Sequence, residues 1–303
     1  MPQNDLAIRL AAFDAMGRLV DKVGRPLPWS EIAKGFTFRG EVILFASKPR
    51  GIYKPKQLER GALSVKTPVP RIGRTARYDD VSVETDSFLY KFQGDDPKSR
   101  DNQWLREAWQ DQSPLIYFYG VAETYYEPIW PVYVISWEPN QLHARLEAVP
   151  VKEFVAAEGL AEELERQYAT RLAKQRIHQA RFREIVLHAY GYCCAFSRLP
   201  IRQLLHASHI VPDPHKLGIA SVQNGIALSP LHHAAFDANL LGIDSDYIIR
   251  AGTRLKSYSD GSLLERELKG LDGVRMHIPK RVEAQPSRDL LAMRYKIFEE
   301  ANT

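Results

Sequence analysis

The N-terminal half of the chain shows two hydrophobic patterns in succession. Apolar residues recur at helical spacing over residues 5–23, and a Pro-containing turn then leads to a second short helix near Glu31. From Phe36 onward, short apolar runs broken by Gly and Pro predict β-strands, at 41–45, 63–65, 115–119 and 130–137. A further helix is predicted over 100–112. Helices mixed with strands in this order predict an α+β fold.

The C-terminal half begins with a different pattern. Residues 151–184 alternate charged and apolar side chains without Pro, which predicts a helical connector whose charges form a solvated face. The chain then gives a short strand ending at Pro212, a second strand over 226–228, and a helix that starts with Ser229 at the N-cap and Pro230 at the first helical position. We therefore predict three regions, which are an N-terminal domain at 1–150, the connector at 151–184, and a C-terminal domain at 185–303.

Composition limits the kind of protein. Hydrophobic residues are 45% and charged residues 26% of 303, as in ordinary globular proteins. The net charge of +4, from 41 basic and 37 acidic residues, permits a polyanionic partner without requiring one. The only cysteines, Cys193 and Cys194, are adjacent and form neither a disulfide framework nor a CxxC pair, which fits a reducing compartment. With no signal-like start and no long apolar stretch, we expect a cytoplasmic protein with no membrane partner.

The candidate chemistry lies in residues 204–244. His233 and Asp237 are four residues apart on the predicted helix, so both side chains lie on one face and can bind one divalent cation. On the preceding strand, His209 faces opposite to His206 and Ser208 because side chains alternate. An imidazole close to a cation but not bound to it is suited to take a proton from an attacking water. Asn224 lies in the loop between the strands, where an amide can fix the backbone.

These residues resemble the HNH, or ββα-metal, endonucleases. His209, Asn224 and His233 stand at the three positions that give the family its name, and the patterns HI.P from His209 and HH..FD up to Asp237 match its restriction-type branch. The resemblance covers about 185–250. It implies that His209 is the general base, that Asn224 fixes the loop, and that His233 and Asp237 are metal ligands.

Two departures from the family pattern affect the metal. Many relatives have an acidic residue or histidine where this chain has Ser208, so the strand-side ligand is His206, Ser208 or solvent. The position of a second thiol, three residues after Cys194, is Ser197, and we therefore predict no structural zinc. For the catalytic cation we expect Mg²⁺, with Mn²⁺, Ni²⁺ or Zn²⁺ as alternatives. His232 either contacts phosphate or lies beside the site.

A basic segment in the N-terminal half predicts nucleic-acid binding. Between residues 48 and 77 there are nine Lys or Arg residues and a single acid, Glu59. Because Lys and Arg contacts with phosphates dominate affinity for nucleic acids, we expect this segment to bind the DNA backbone, although solvated loops are the alternative. The residues predicted to contact DNA are Lys48, Arg50, Lys54, Lys56, Arg71, Arg74 and Arg77.

Aromatic residues follow the basic segment. Most are expected in the strand core, but a subset is numerous enough to form a base pocket, namely Tyr117, Tyr119, Tyr125, Tyr126 and Trp130. The segments GIYKP at 51–55, TDSFLYKF near Phe88 and LIYFYGV from Leu115 resemble the N-terminal region that accompanies HNH domains in bacterial restriction-like proteins. That resemblance implies a target-reading domain, with a barrel-like fold related to the PUA and SRA groups.

Together these features predict a metal-dependent endonuclease of restriction or defence type. The expected partner is double-stranded DNA, with base-modified DNA as one option. Each HNH site cuts one strand, so a double-strand break needs a homodimer or two successive nicks. The alternatives are a non-cleaving DNA-binding sensor on the same frame and an RNA nuclease, because a site that attacks the phosphodiester does not itself distinguish DNA from RNA.

Overall fold

The structure is a computed structural model that describes residues 1–69, 87–149, 160–212, 220–259 and 261–303, with the backbone alone for 160–168. The chain divides into two compact units, Met1–Ala180 and Arg181–Thr303. Both contain helices and strands, so the predicted α+β class is confirmed. The sequence predicts that the N-terminal domain ends at residue 150 and the helical connector at residue 184. The first unit extends further because Ala173, Ile177 and Ala180 of the connecting helix are part of its hydrophobic core.

The first unit contains these helices and strands in chain order: α1 (Gln3–Val23), β1 (Leu27–Pro28), α2 (Trp29–Ile32), β2 (Phe36–Phe38), β3 (Glu41–Ile43), β4 (Ile52–Tyr53), β5 (Ser64–Thr67), β6 (Phe88–Lys91), α3 (Arg100–Gln110), β7 (Leu115–Ala122), β8 (Tyr125–Glu138), β9 (His143–Ala148) and the start of α4 (Leu160–Ala189). The predicted strands are present with shifted ends. For example, the strand expected at 41–45 ends at Ile43, and the helix expected at 100–112 ends at Gln110.

A curled seven-stranded sheet forms the centre of the first unit. Its order is β4-β5-β7-β8-β9-β6, with β1 paired to β8, and the β5–β7 pair is parallel while the others are antiparallel. Register shifts interrupt the β7–β8 and β8–β9 pairings. Such irregularities bend a strand and increase its twist, which is consistent with the curl of the sheet.

Strand β7 is buried on both faces. Tyr117 and Tyr119 belong to a core that includes Leu105 of α3 and Ile177 of α4, whereas the intervening Phe118 belongs to a second core with residues of α1. Alternation of side chains along a strand explains this division. A strand covered on both faces reads as a continuous apolar run, as the sequence LIYFYGVA does.

Two charged residues of α1 are buried because they bind backbone groups. Asp5 accepts hydrogen bonds from the amides of Glu59 and Arg60, both at 3.0 Å. Arg9 donates to the carbonyls of Ala62 at 2.6 Å and Pro114 at 2.9 Å. Burial lowers the pKa of Arg9 to about 10, although Asp5 opposes that shift. These bonds fix the middle of the basic segment to α1, and they satisfy polar groups whose burial would otherwise be unfavourable.

The second unit begins with the end of α4 and continues with β10 (His206–His209), β11 (Gly225–Leu228), α5 (Pro230–Asp237), β12 (Leu241–Ile243), β13 (Ile249–Ala251), α6 (Thr253–Ser257), α7 (Ser262–Glu267) and α8 (Arg288–Glu300). Strands β10 and β11 are antiparallel and pair His206 with Leu228 and His209 with Gly225. The predicted start of α5 is confirmed, since the Ser229 hydroxyl accepts from the His232 amide at 3.3 Å and Pro230 is in the first turn.

Gly225 permits the close approach of β11 to α4. A Cβ atom at this position would lie 2.2 Å from Cγ2 of Val186 and 3.1 Å from the ring of Phe182. Phe182 in turn stacks on the imidazole of His209, with ring centroids 3.9 Å apart and an interplanar angle of 8°. The absence of a side chain opposite His209 therefore allows α4 to support the strand that carries it.

Candidate active site

Three of the predicted metal-site residues lie together at one end of the β10–β11 hairpin. His206 pairs with Leu228, which immediately precedes the N-cap of α5, so His206 lies beside the first turns of that helix. Its Nδ1 is 3.2 Å from Nδ1 of His233. On the other side of the His233 ring, Nε2 is 3.3 Å from Oδ2 of Asp237. We refer to His206, His233 and Asp237 as the histidine cluster.

The histidine cluster is open to solvent. His206 is exposed, and the side chain of Asp237 is 63% exposed. The pKa of His206 is lowered, first by burial of part of the ring and then by positive charge at His233 and Arg183. A lowered pKa favours the neutral imidazole, which is the form that binds metals.

The donor atoms of the histidine cluster partly fit a divalent cation. With metal–nitrogen bonds of about 2.0–2.1 Å, two nitrogens on one cation are separated by about 3.0–3.4 Å, and the two Nδ1 atoms are separated by 3.2 Å. Across the described ranges, no group of three or more His, Cys, Asp and Glu side chains is already arranged to hold a metal. In the histidine cluster, Asp237 bonds to the nitrogen of His233 that faces away from His206.

Ser208 does not belong to the histidine cluster. Its side chain is buried, and its hydroxyl donates to the carbonyl of His209 at 3.4 Å. The prediction left His206, Ser208 or solvent as the strand-side ligand, and of the two residues it is His206 that contacts His233. A hydroxyl that is buried and directed at the backbone cannot also face an exposed cation.

Asn224 and His209 occupy the opposite end of the hairpin. The amide of Asn224 is buried and bonds twice to Val211, accepting from its N–H at 2.9 Å and donating to its C=O at 3.0 Å. The carbonyl of Asn224 also accepts from the amide of Ile210 at 3.0 Å. Ile210 and Val211 are the two residues that follow His209, so these bonds from Asn224 fix the chain where β10 ends. The His209 ring is partly exposed and lies against Phe182.

His232 is not a phosphate contact, contrary to one of the two predictions for it. The residue is 2% exposed, and its Nε2 is 2.9 Å from the carbonyl of Glu267. Its Nδ1 is 3.0 Å from Oγ of Ser229 and 3.4 Å from Sγ of Cys194. A side chain whose two nitrogens both face buried protein atoms has no surface to offer to DNA.

Cys194 completes this buried network. Its sulfur accepts a hydrogen bond from the amide of Ser229 at 3.3 Å. Burial raises the pKa of Cys194, but hydrogen bonds from His232 and Ser197 outweigh it and bring the pKa down to about 6. The pKa of His232 is raised in turn, because its hydrogen bonds to Cys194 and Glu267 together outweigh burial, which alone would lower it. The sequence analysis missed this network, although Ser197, at the place of a second thiol, was a signal of polar surroundings.

The basic segment of the first unit is only partly available to a ligand. Lys48 and Lys56 are exposed, whereas Arg50 pairs with Asp101 at 3.0 Å and Lys54 donates to the carbonyl of Leu58. Three further predicted DNA contacts lie outside the described residues, namely Arg71, Arg74 and Arg77.

Lys66 has a role that the sequence did not indicate. Its ammonium group donates to the carbonyls of Ser47 at 2.7 Å and Lys48 at 2.8 Å, and it lies 4.5 Å from the centre of the Trp29 ring. Burial lowers the pKa of Lys66 to about 8. Because both carbonyls belong to the start of the basic segment, Lys66 supports that segment from inside and is not itself a surface cation.

The predicted base pocket is wrong in part. Tyr117 and Tyr119 are fully buried, and the hydroxyl of Tyr117 is 2.9 Å from Oγ1 of Thr67. They fill the core because β7 is covered on both faces. Tyr125, Tyr126 and Trp130 are each partly exposed on β8.

The partly exposed rings have aromatic and cationic neighbours. Tyr126 meets Trp29 edge-on, with centroids 5.9 Å apart, and the guanidinium of Arg25 lies 4.9 Å from the centre of the Trp130 ring.

None of the helices in the described part of the chain has the length and apolar character needed to cross a membrane.

Comparison with known proteins gives one family match and one structural similarity. No curated protein matches the chain. A solved structure described as the "Modification dependent TagI restriction endonuclease" is 14% identical, with a TM-score of 0.33 over 78% of this chain and 82% of that one. Residues 194–244, which include β10, β11 and α5, match the HNH endonuclease family. The chain therefore carries an HNH endonuclease family domain at 194–244.

Proposed function

We propose that this protein is a divalent-metal-dependent endonuclease of restriction or defence type that hydrolyses phosphodiester bonds in double-stranded DNA. The observation that carries the proposal is the histidine cluster, where Nδ1 of His206 and Nδ1 of His233 face each other at 3.2 Å and Asp237 contacts the other nitrogen of His233. The cluster lies within the segment that matches HNH endonucleases. A protein that only bound DNA would have no chemical need for two solvent-accessible imidazoles and a carboxylate at this spacing.

We propose that His206, His233 and Asp237 together hold the cation, in the strand–strand–helix order β10, β11, α5 typical of the ββα-metal arrangement. Two imidazoles and one carboxylate suit Mn²⁺, Ni²⁺ or Zn²⁺ as well as the Mg²⁺ that we expected. When bound, the cation stabilises negative charge on the scissile phosphate and on the leaving oxygen. The proposal includes no structural zinc, because Cys194 bonds to His232 and Ser229 within the protein.

In this proposal His209 is the general base. Its imidazole takes a proton from the water that attacks phosphorus, and the bond between phosphorus and the leaving oxygen then breaks. Stacking on Phe182 restricts the ring, and the two bonds from Asn224 to Val211 fix the chain that follows it. Asn224 is thus a positioning residue. A base held by packing on one side and by a fixed loop on the other keeps the orientation that proton transfer requires.

We propose that the first unit binds the target. Lys48, Arg50, Lys54 and Lys56 of the basic segment contact the DNA backbone, with Arg71, Arg74 and Arg77 as proposed contacts outside the described residues. The curled sheet supports, at a coarse level, a barrel-like reader related to the PUA and SRA groups. Selectivity for a modified base would come from the partly exposed rings of Tyr125, Tyr126 and Trp130, because a flipped base needs an aromatic surface on which to stack.

One such site cuts one strand. We therefore propose that a double-strand break arises in a homodimer or by two successive nicks, in a cytoplasmic protein. A plasmid distinguishes the two routes, because paired cutting gives linear DNA directly whereas independent nicking gives the open circle first.

The deciding experiment incubates the purified chain with supercoiled plasmid and Mg²⁺, Mn²⁺, Ni²⁺ or Zn²⁺. Unmodified, methylated, hydroxymethylated and glucosylated DNA are compared, with EDTA as the control. We expect metal-dependent nicking that EDTA stops and that His233→Ala reduces. Binding without cleavage under every metal would favour a non-cleaving sensor, and cleavage of RNA alone would favour an RNA nuclease. Equal cleavage of all four DNAs would contradict only the reading of modified bases.

A further inference from the structure

A second concentration of positive charge lies in the unit that carries the HNH domain, outside residues 194–244. Between Asp272 and Glu283 the chain has no acidic residue and four basic or imidazole side chains, which are Arg275, His277, Lys280 and Arg281. Lys280 and Arg281 are exposed. Within the part of the chain that the structure describes, neither has an ion-pair partner. Positive charges that no carboxylate offsets are available to an anionic ligand.

This segment is held beside the loop that contains Asn224 by hydrogen bonds to the side chain and the backbone of Gln223. Gln223 donates through Nε2 to the carbonyl of Glu283 at 2.7 Å, and its own carbonyl accepts from the amide of Ser287 at 2.9 Å. Gln223 directly precedes Asn224, which holds Val211 after the strand of His209. The segment is therefore connected, through two adjacent residues, to the loop that positions the proposed base.

A second link brings Arg198 to the same surface. The amide of His277 donates to the carbonyl of Ala195 at 2.7 Å, which joins the segment to the turn that carries the exposed Arg198. The pKa of His277 is lowered by burial first and then by the positive charges of Arg198 and Lys280. The bond from His277 to Ala195 places the segment beside the turn of Arg198, and Lys280 follows His277 by three residues.

We propose that residues 277–282 and Arg198 form a basic loop that binds the sugar-phosphate backbone of duplex DNA beside the nuclease site. The proposal rests on the proposed function and assigns a DNA contact to the second unit, in addition to the basic segment of the first. Because Lys and Arg contacts with phosphates carry no sequence information, the basic loop holds the strand in register and does not select the target. Val282 at its tip is 74% exposed, so its alkyl group is available to pack against a sugar.

The arrangement favours DNA over an acidic protein surface as the ligand. The positive charges follow one another along an extended segment that leads to the loop after β10, and a phosphodiester chain presents charges in such a row. A ligand that contacts Lys280 and Arg281 is thereby directed toward the residues at which its cleavage is proposed.

The test compares two double variants of the full chain that remove the same charge. Lys280→Ala with Arg281→Ala changes the basic loop, and Arg254→Ala with Lys296→Ala removes two other exposed cations of the same unit. Binding of a short duplex is measured by fluorescence anisotropy in EDTA, where no cleavage occurs, across a salt series. Because each lost phosphate contact lowers the slope of log Kd against log salt by about 0.9, we expect a fall of about 2 for the loop variant and little change for the control.

A charge-preserving variant and a kinetic measurement separate binding from folding. Lys280→Arg with Arg281→Lys should restore the slope, and all variants should keep the thermal midpoint of the wild type. In plasmid nicking, the loop variant should raise KM while kcat and the metal concentration for half-maximal activity stay unchanged. A loss confined to kcat, or equal slopes for the loop and control variants, would overturn the proposal.

Two further outcomes distinguish a failure of this proposal from a failure of the proposed nuclease function. If polyglutamate binding weakens as strongly as DNA binding, the loop is a general anion site and the assignment to DNA is wrong. If the loop variant loses DNA affinity but no metal supports cleavage by the wild type, the nuclease proposal fails while the DNA-binding surface stands.

Discussion

Helix α5 carries two adjacent histidines in opposite surroundings. His232 is buried and bonds to Cys194, Ser229 and the carbonyl of Glu267, whereas His233 faces His206 and Asp237 near solvent. Successive helical residues point about 100° apart, so the step of one residue is enough to place the two histidines on different faces. The comparison teaches that a histidine in a motif acquires its role from the face of the helix on which it lies. The buried face should contribute stability, and the exposed face should contribute chemistry.

The largest effect is expected at a third histidine, which tests whether base and ligands are separate. His209→Ala should reduce the nicking rate by about 10² to 10⁴, because a positioned base is lost, while metal affinity is retained. Rates and metal binding are measured together, and His188→Ala serves as a control at an exposed histidine of α4. A loss of metal affinity as large as that of His233→Ala would place His209 among the ligands.

The next effect tests the exposed face directly. His233→Ala should weaken metal binding by more than about 10-fold, because even the loss of a group that only supports a metal ligand costs about 10- to 100-fold, and the thermal midpoint should change little. Asp237→Ala should act in the same direction, and excess metal should recover part of its activity but none for His209→Ala. Metal titrations of cleavage check both variants. Identical losses that no metal concentration restores would show that the helix pair is structural.

The sequence predicted the part of this contrast that depends on residues close together along the chain. The four-residue step from His233 to Asp237 and the N-cap at Ser229 are local features, and the predicted helix start is confirmed. His206 was one of two ligand candidates on a four-residue strand, and pairing with β11 places His206, and not Ser208, beside His233. The burial of His232 depends on Cys194 and Glu267, both 35 residues or more away along the chain, and no local pattern reports such contacts.

In the first unit, too, the sequence predicted local structure but not the contacts between residues far apart along the chain. The run LIYFYGVA predicted a strand correctly, but counting aromatic residues could not tell a base pocket from a core. Tyr117 and Tyr119 are buried because both faces of β7 are covered, one of them by α4 from much later in the chain. The register shifts that curl the sheet, and the support that Lys66 gives to the basic segment, also depend on long-range packing.

The next prediction tests the buried face of α5 through Cys194, whose thiol contacts His232 and Ser229. Cys194→Ala removes the acceptor of the Ser229 amide and a partner of His232 in a buried site, so we expect a loss of about 1–3 kcal/mol in the free energy of unfolding. Metal affinity measured below the melting range should be close to that of the wild type. Cys193→Ala, at the partly exposed neighbour, is the matched control and should be nearly neutral. A large fall in metal affinity with unchanged stability would reverse the roles of the two faces.

The smallest effect is expected in the first unit, where a buried tyrosine ring is compared with a partly exposed one. Tyr117→Phe keeps the ring and removes only the hydroxyl that lies 2.9 Å from Thr67, so unfolding should become easier by about 0.5–1.5 kcal/mol. The hydroxyl of Tyr126 makes no hydrogen bond to any residue that the structure describes, and Tyr126→Phe should change stability by less than about 0.5 kcal/mol. Chemical denaturation measures both. DNA affinity should be unchanged in Tyr117→Phe, because a ring inside the core cannot touch a base; a weakened DNA affinity with normal stability would return Tyr117 to the base-reading surface.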